Sequence, residues 1–317
     1  MNWFILSFIS AIFSAAGAIT EKKSLLNFDP LRFSFWSSVS TLIFTIPFFF
    51  FAVYPPNADT SLNFLFFKTI LSAGAFYSVM MSIKNLEISE ALPLLALSPG
   101  FIAVFGVLLI GDHLSFQQWS GILLMLIGTY VLELKKGNNH FFDPIKNLFT
   151  GGKYNYIIIA LFLFTATSLI DRVLLKDFKL PPYTFMAYQQ LFFVVIFGAA
   201  LMVWGKRSAE SGGGNSSADW TSIFSRGLKQ ENTNPASSNK NTRNMVILLL
   251  LVGVFTFIYR YTQIEAVKLA PVALVISVKR LSILFAIIAG GRIFKEDNIS
   301  RRIAAAVLII TGTALLA

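Results

Sequence analysis

The amino-acid sequence predicts an all-α integral membrane fold of ten transmembrane helices arranged as two inverted five-helix repeats. Three observations carry that expectation. Of the 317 residues, 55% are hydrophobic and only 13% are charged, with a mean hydropathy of +0.68, which is not the composition of a water-soluble domain. Apolar stretches long enough to cross a bilayer recur along the whole chain, separated by short polar connections. The second half of the chain also repeats the first at low identity.

Span one, 2–20, begins straight after Met1 without a basic leader or a small-residue cleavage site, so no signal or transit peptide is expected. It closes on Glu21-Lys22. Span two, 31–53, opens on "PLRF", and span three, 64–83, carries Tyr77. Span four, 91–110, contains Pro93 and Pro99 in "ALPLLALSPG", which remove backbone hydrogen bonds and bend the helix. Spans five, 119–134, and ten, 302–316, are the shortest. Span six, 154–173, closes on Asp171-Arg172; span seven, 183–204, follows "PYTF"; spans eight, 245–263, and nine, 269–290, complete the set. Residues 1–134 form the first repeat, 135–153 a connecting loop and 154–317 the second repeat. The Ser-, Asn- and Gly-rich stretch 205–244 reads as a flexible insertion within it.

A shift of 184 residues lays Tyr77 on Tyr261, Lys84 on Lys268, Leu97-Ser98 on Leu281-Ser282, Gly106 on Gly290 and Gly128-Thr129 on Gly312-Thr313. A shift near 150 lays Glu21-Lys22 on Asp171-Arg172. Five is odd, so the second copy of a five-span unit crosses the membrane in the opposite sense, an arrangement suited to alternating access.

The net charge of +10 sits in membrane loops and makes no continuous basic face, so membrane lipid is the expected partner and nucleic acid is not. Sorting the loops alternately to the two sides puts 17 of the 26 Lys and Arg on one side and Lys176, Lys179 and Lys268 on the other. The positive-inside rule then leaves both termini outside. The expected location is a prokaryotic plasma membrane, with the closing helices five and ten as surfaces for homodimer contacts. No cysteine is present and histidine occurs only as His113 and His140, so no metal site and no cofactor is expected. The sequence lacks a phosphate-binding Gly loop, a pair of catalytic acids and a Ser-His-Asp set, which argues against ATP-driven transport and against an enzyme.

Two five-helix halves, an acidic residue after the fourth and ninth spans ("GDHLS", "FKEDNIS") and Gly-rich closing helices ("LLMLIGTYVL", "VLIITGTALL") resemble the drug/metabolite transporters of the EamA-like kind. The resemblance implies a secondary transporter. It departs in topology, since many members of that family are thought to keep both termini cytoplasmic.

Lys279 and Arg280 lie in "LVISVKRLSILFAII", about ten residues from either end of span nine and some 15 Å deep at about 1.5 Å per residue. A charge at that depth costs about 2.5–3.5 kcal/mol on insertion scales, so both cations must face protein or water. The alternatives are a salt bridge to Glu21 or Glu265 and a site for an anionic substrate, which Arg would grip with its fork and Lys with a point charge. "VKRLSILF" resembles the Lys-Arg segment that binds phosphate in the sugar-phosphate/phosphate translocators. The expected substrate is therefore a small phosphorylated or carboxylated anion, the alternative being export of neutral or zwitterionic amino acids or drugs. Further candidate substrate contacts are Ser277 near the pair, Ser98, the tyrosine mates Tyr77 and Tyr261, Gln190 of "YQQ" and Trp36 opposite it in the repeat. Arg260 of "FIYRYTQ" reads as a snorkelling belt residue. The neighbours Glu21 and Lys22, and Asp171 and Arg172, read as symmetry-related ion pairs that serve as gates or as static helix ends.

Overall fold

The structure is a computed structural model that describes residues 2–25, 28–53, 58–85, 98–133, 154–211 and 235–294, with Leu308, Thr311, Gly312 and Leu315. Its elements are α1 (Trp3–Leu25), α2 (Pro30–Phe50), α3 (Ala58–Asn85), α4 (Ser98–Phe105, continued by a π-helical turn over Gly106–Ile110), α5 (Phe116–Glu133), α6 (Asn155–Lys176), α7 (Pro182–Ser211), α8 (Pro235–Leu269), α9 (Val272–Lys279) and α10 (Leu281–Phe294). Among the described residues, six helices contain segments long and apolar enough to cross a bilayer: Trp3–Leu25, Pro30–Phe50, Asp59–Lys84, Asn155–Lys176, Pro182–Val203 and Arg243–Leu269. Pro93, Glu296 with the rest of "FKEDNIS" after Phe294, the 135–153 connection and most of span ten lie outside the described residues.

Hydroxyl side chains are tied back into their own helices. Ser7, Thr20, Ser24, Ser34, Ser38, Thr41, Thr69 and Thr165 each donate to the carbonyl four residues earlier, which hides their polarity from an apolar surround. The helix α2 starts where Asp29 accepts from Leu31 N–H with Pro30 in the first turn. Lys179, at a φ of 53°, turns the chain between α6 and α7. Gly111, at a φ of 75°, ends the π-helical turn and lets Asp112 N–H reach Gly106 O at 3.1 Å.

The helices pack in matched pairs. α1 lies along α8 and α3 along α6; α2 meets both α7 and α8, while α3 meets α7. α9 packs on α1 and α4, and α4 packs on α6. One approach is unusually close: a Cβ on Gly253 of α8 would stand 2.2 Å from Ser40 Oγ and 2.9 Å from the Ser40 carbonyl carbon, so only glycine fits there. The Ser40 hydroxyl donates across this contact to Leu249 O at 2.9 Å. Large apolar side chains such as Phe50, Phe67, Leu108 and Leu109 are exposed, whereas Ser, Thr, Gln and charged groups are buried in quantity. That inversion suits a lipid surround.

Two readings of the chain need correction. Span nine is not one helix: it divides at Arg280, whose N–H bonds both Ile276 O and Ser277 O at 3.0 Å, while Ile283 N–H bonds back to Arg280 O. The bonds to Ser277 O and Arg280 O, each spanning three residues, tighten the turn at the two cations. The stretch 205–244 is also not a loop throughout, since α7 runs to Ser211 and α8 starts at Pro235. Polar composition hid these two extensions from a hydropathy reading.

Candidate functional site

A cavity of about 190 Å³ lies among α1, α2, α3, α6, α7, α8, α9 and α10. Its walls carry Glu21 from α1, Lys68 from α3, Asp171 from α6, Arg260 from α8, Lys279 from α9 and Arg280 at the break. Four cations and two carboxylates thus face one space, a formal excess of two positive charges.

Neutral oxygens hold three of the cations. Lys279 Nζ donates to Gln263 Oε1 at 2.6 Å and stands 4.5 Å from the centre of the Tyr259 ring. Arg280 donates through Nε and Nη2 to Ser98 Oγ at 3.2 and 2.5 Å. Arg260 donates to Gln189 Oε1 at 2.8 Å and to Gln263 Oε1 at 3.4 Å. Among the described residues, no carboxylate oxygen comes within 4.0 Å of these three, so the salt bridge to Glu21 or Glu265 weighed from the sequence does not form. Because guanidinium and ammonium only donate, the Gln189 and Gln263 oxygens must face the cations. That leaves the buried Gln189 NH2, which has no partner among the described residues, as a spare donor in the cavity wall. Thr256, also in the wall, adds a hydroxyl beside the Tyr259 phenol.

The fourth cation differs. Lys68 Nζ meets Asp171 Oδ1 at 2.5 Å, with side-chain exposures of 1% and 8%, and lies 5.0 Å from the Phe185 ring centre. Arg172 turns away from the cavity and pairs with Asp112 at 2.9 Å. Asp171 and Arg172 are therefore not partners of each other: neighbours on a helix point about 100° apart, and each finds its counter-ion on another element. Lys22 Nζ donates to Ile83 O at 2.7 Å, while Glu21 lines the cavity.

The sequence-derived candidates divide. Lys279, Arg280, Gln190, Glu21 and Asp171 line the cavity, Gln190 being held by its bond to Ser38 O at 3.0 Å. Ser98 stands behind Arg280 and orients it. Tyr261 stacks on Phe257 and packs against Phe48, while its cavity-side neighbours are Tyr259 and Arg260. Tyr77 is displaced in the same way, with Phe76 in the wall instead. Ser277 is fully buried off the cavity. Trp36 lines a separate groove on the outer side of α2 and α8. The periodicity of each span was legible, but not its rotation, and a one-residue error moves a side chain by 100°. Lys68 escaped attention although its position, a lone cation within span three, was a usable signal. Arg260 was visible but misread: at 1.5 Å per residue its place near the end of span eight suggested snorkelling, whereas two glutamines draw it inward.

Comparison with known proteins bears on this geometry. Residues 1–134 match the EamA-like transporter family. The match supports the drug/metabolite transporter superfamily and a transport role; together with the six helices of spanning length among the described residues, it supports a multi-pass membrane protein. No curated protein matches the sequence. Among solved structures, one described as a crystal structure of a protein shares the fold with a TM-score of 0.66, covering 99% of this chain and 95% of its own at 14% identity. At that identity the likeness is one of fold.

Proposed function

We propose that this chain is a secondary transporter that moves a small organic anion, phosphorylated or carboxylated, by alternating access across a prokaryotic plasma membrane. The observation that carries the reading is the cation cluster: Arg260, Lys279 and Arg280 face one cavity and are held by amide and hydroxyl oxygens instead of carboxylates. A cluster arranged in this way retains its attraction for an incoming anion, and Arg280 keeps N–H groups beyond the two committed to Ser98. The resemblance of "VKRLSILF" to the sugar-phosphate translocators points the same way.

Alternating access needs two halves that rock against each other, and the packing supports ten spans in two inverted repeats. Exchanging α1 for α6, α2 for α7, α3 for α8 and α4 for α9 turns the α1–α8 contact into α6–α3 and the α1–α9 contact into α6–α4. It also maps α2–α8 onto α7–α3, and all these pairs are in contact. Both chain termini lie outside in this reading, as the loop charges indicate.

One observation favours a second reading. Glu21 lies in the cavity wall without an ion-pair partner within 4.0 Å among the described residues, and could receive the ammonium of a zwitterionic amino acid. Counterflow in proteoliposomes with sugar phosphates, carboxylates, amino acids and cationic dyes separates the two. Each charge-assisted contact contributes about 1.5–3 kcal/mol, so Arg280→Gln should weaken anion binding by about one to two orders of magnitude. Its apo melting temperature should stay near wild type, because no buried carboxylate is stranded. A wild-type protein that carries only cations would sink the anion reading.

A further inference from the structure

We propose that the outer groove between α2 and α8 is a binding site for one acyl chain of an anionic phospholipid, with Arg32 and Arg243 receiving the headgroup. The groove holds about 250 Å³ and is lined by Trp36, Val39, Ser40, Ile43, Val246, Leu249 and Leu250. Ser40, the hydroxyl residue among them, spends its proton on Leu249 O, so the lining is effectively hydrocarbon. Ile43, Val246 and Leu250 are exposed, on segments of bilayer-spanning length, where the surrounding solvent is lipid.

The direction and the mouth of the groove follow from the register. Ser40 contacts the Leu249–Gly253 turn and, eight residues on, Phe48 packs against Phe257 and Tyr261, so α2 and α8 run parallel. Eight residues back, the same register sets Arg32 level with the turn that contains Arg243. Arg32 precedes Trp36 by four residues and Arg243 precedes Val246 by three, so both share a helix face with groove-lining residues. Neither arginine has an ion-pair partner within 4.0 Å among the described residues. The nearby Asp29 is turned towards α3, where Lys84 lies 3.9 Å away. An apolar slot that ends at two guanidiniums matches a phospholipid: the tail in the slot and the phosphate at the mouth.

A second copy of the chain fits this surface poorly. A two-fold axis along the membrane normal would bring four arginines together at one depth.

The test is native mass spectrometry of the full chain released from detergent, titrated with dioleoylphosphatidylglycerol and with dioleoylphosphatidylcholine. A basic residue near the surface contributes about 1 kcal/mol, so each arginine should give about a fivefold preference for phosphatidylglycerol and the two together about thirtyfold. Arg32→Gln with Arg243→Gln should abolish the preference and leave phosphatidylcholine binding unchanged. Val246→Trp, which fills the slot without touching the charge, should weaken both lipids. Equal binding of the two lipids by wild type, or undiminished binding by Val246→Trp, would overturn the proposal. In a chain without cysteine, Leu250→Cys offers a further check: an efficient disulfide between copies in native membranes would show that the groove is a protein interface instead.

Discussion

Glu21 near the end of α1 and Asp171 near the end of α6, which the proposed repeat would pair, are both buried and both in the wall of the same cavity, yet their surroundings differ. Asp171 is closed by Lys68 at 2.5 Å, with an aromatic ring beside the ammonium. Glu21 has no counter-ion within 4.0 Å among the described residues. The proposed pairing of the halves is matched in the packing of the helices but not in the charges between them. One acid of the cavity wall is therefore fixed in an ion pair, and the other is not.

The largest expected effect breaks the closed side. Lys68→Met strands the Asp171 carboxylate in a nearly dry place and should lower stability by about 3–5 kcal/mol, read as a lost melting transition or a much lower midpoint in detergent. Lys68→Met combined with Asp171→Leu should recover most of that loss, since a buried pair replaced by apolar side chains is often neutral. If the double variant is no better than the single one, Asp171 is not held by Lys68.

Glu21→Gln sharpens the open side. With no ion-pair partner left behind, it should melt close to wild type, within about 1 kcal/mol, while changing which substrates are carried. A collapse in stability equal to that of Lys68→Met would show that Glu21 is paired after all.

The smallest expected effects concern the tyrosines. Tyr259→Leu removes the ring beneath the Lys279 ammonium, an interaction of about 0.5–2 kcal/mol, and should weaken substrate affinity by up to about thirtyfold. Tyr261→Leu, two residues on and about 200° further round the helix, should leave affinity unchanged. Equal losses in the two variants would place the cavity wall on a different face of α8.

Legibility tracked the range of the interaction. The spans could be read because hydropathy accumulates over about twenty residues, and Lys279, Arg280 and Gln190 because polar groups are costly in hydrocarbon wherever they point. Trp36, Tyr77 and Tyr261 were misplaced because aromatic side chains are tolerated on every face of a membrane helix, so their presence carries no direction. The expected Asp171–Arg172 pair failed for a related reason, as sequence adjacency is a poor guide to contact on a helix.

By itself the sequence determined a many-span helical chain with cations buried in its second half, because composition and periodicity are properties of the chain alone. Only the tertiary structure decided that Lys68 belongs to Asp171 and Asp112 to Arg172, that Ser98 and Gln263 hold the Lys279-Arg280 pair, and that Trp36 faces outward. Each of these depends on the rotation of one helix against another. That rotation is set by close contacts such as Gly253 on Ser40, between residues more than two hundred positions apart.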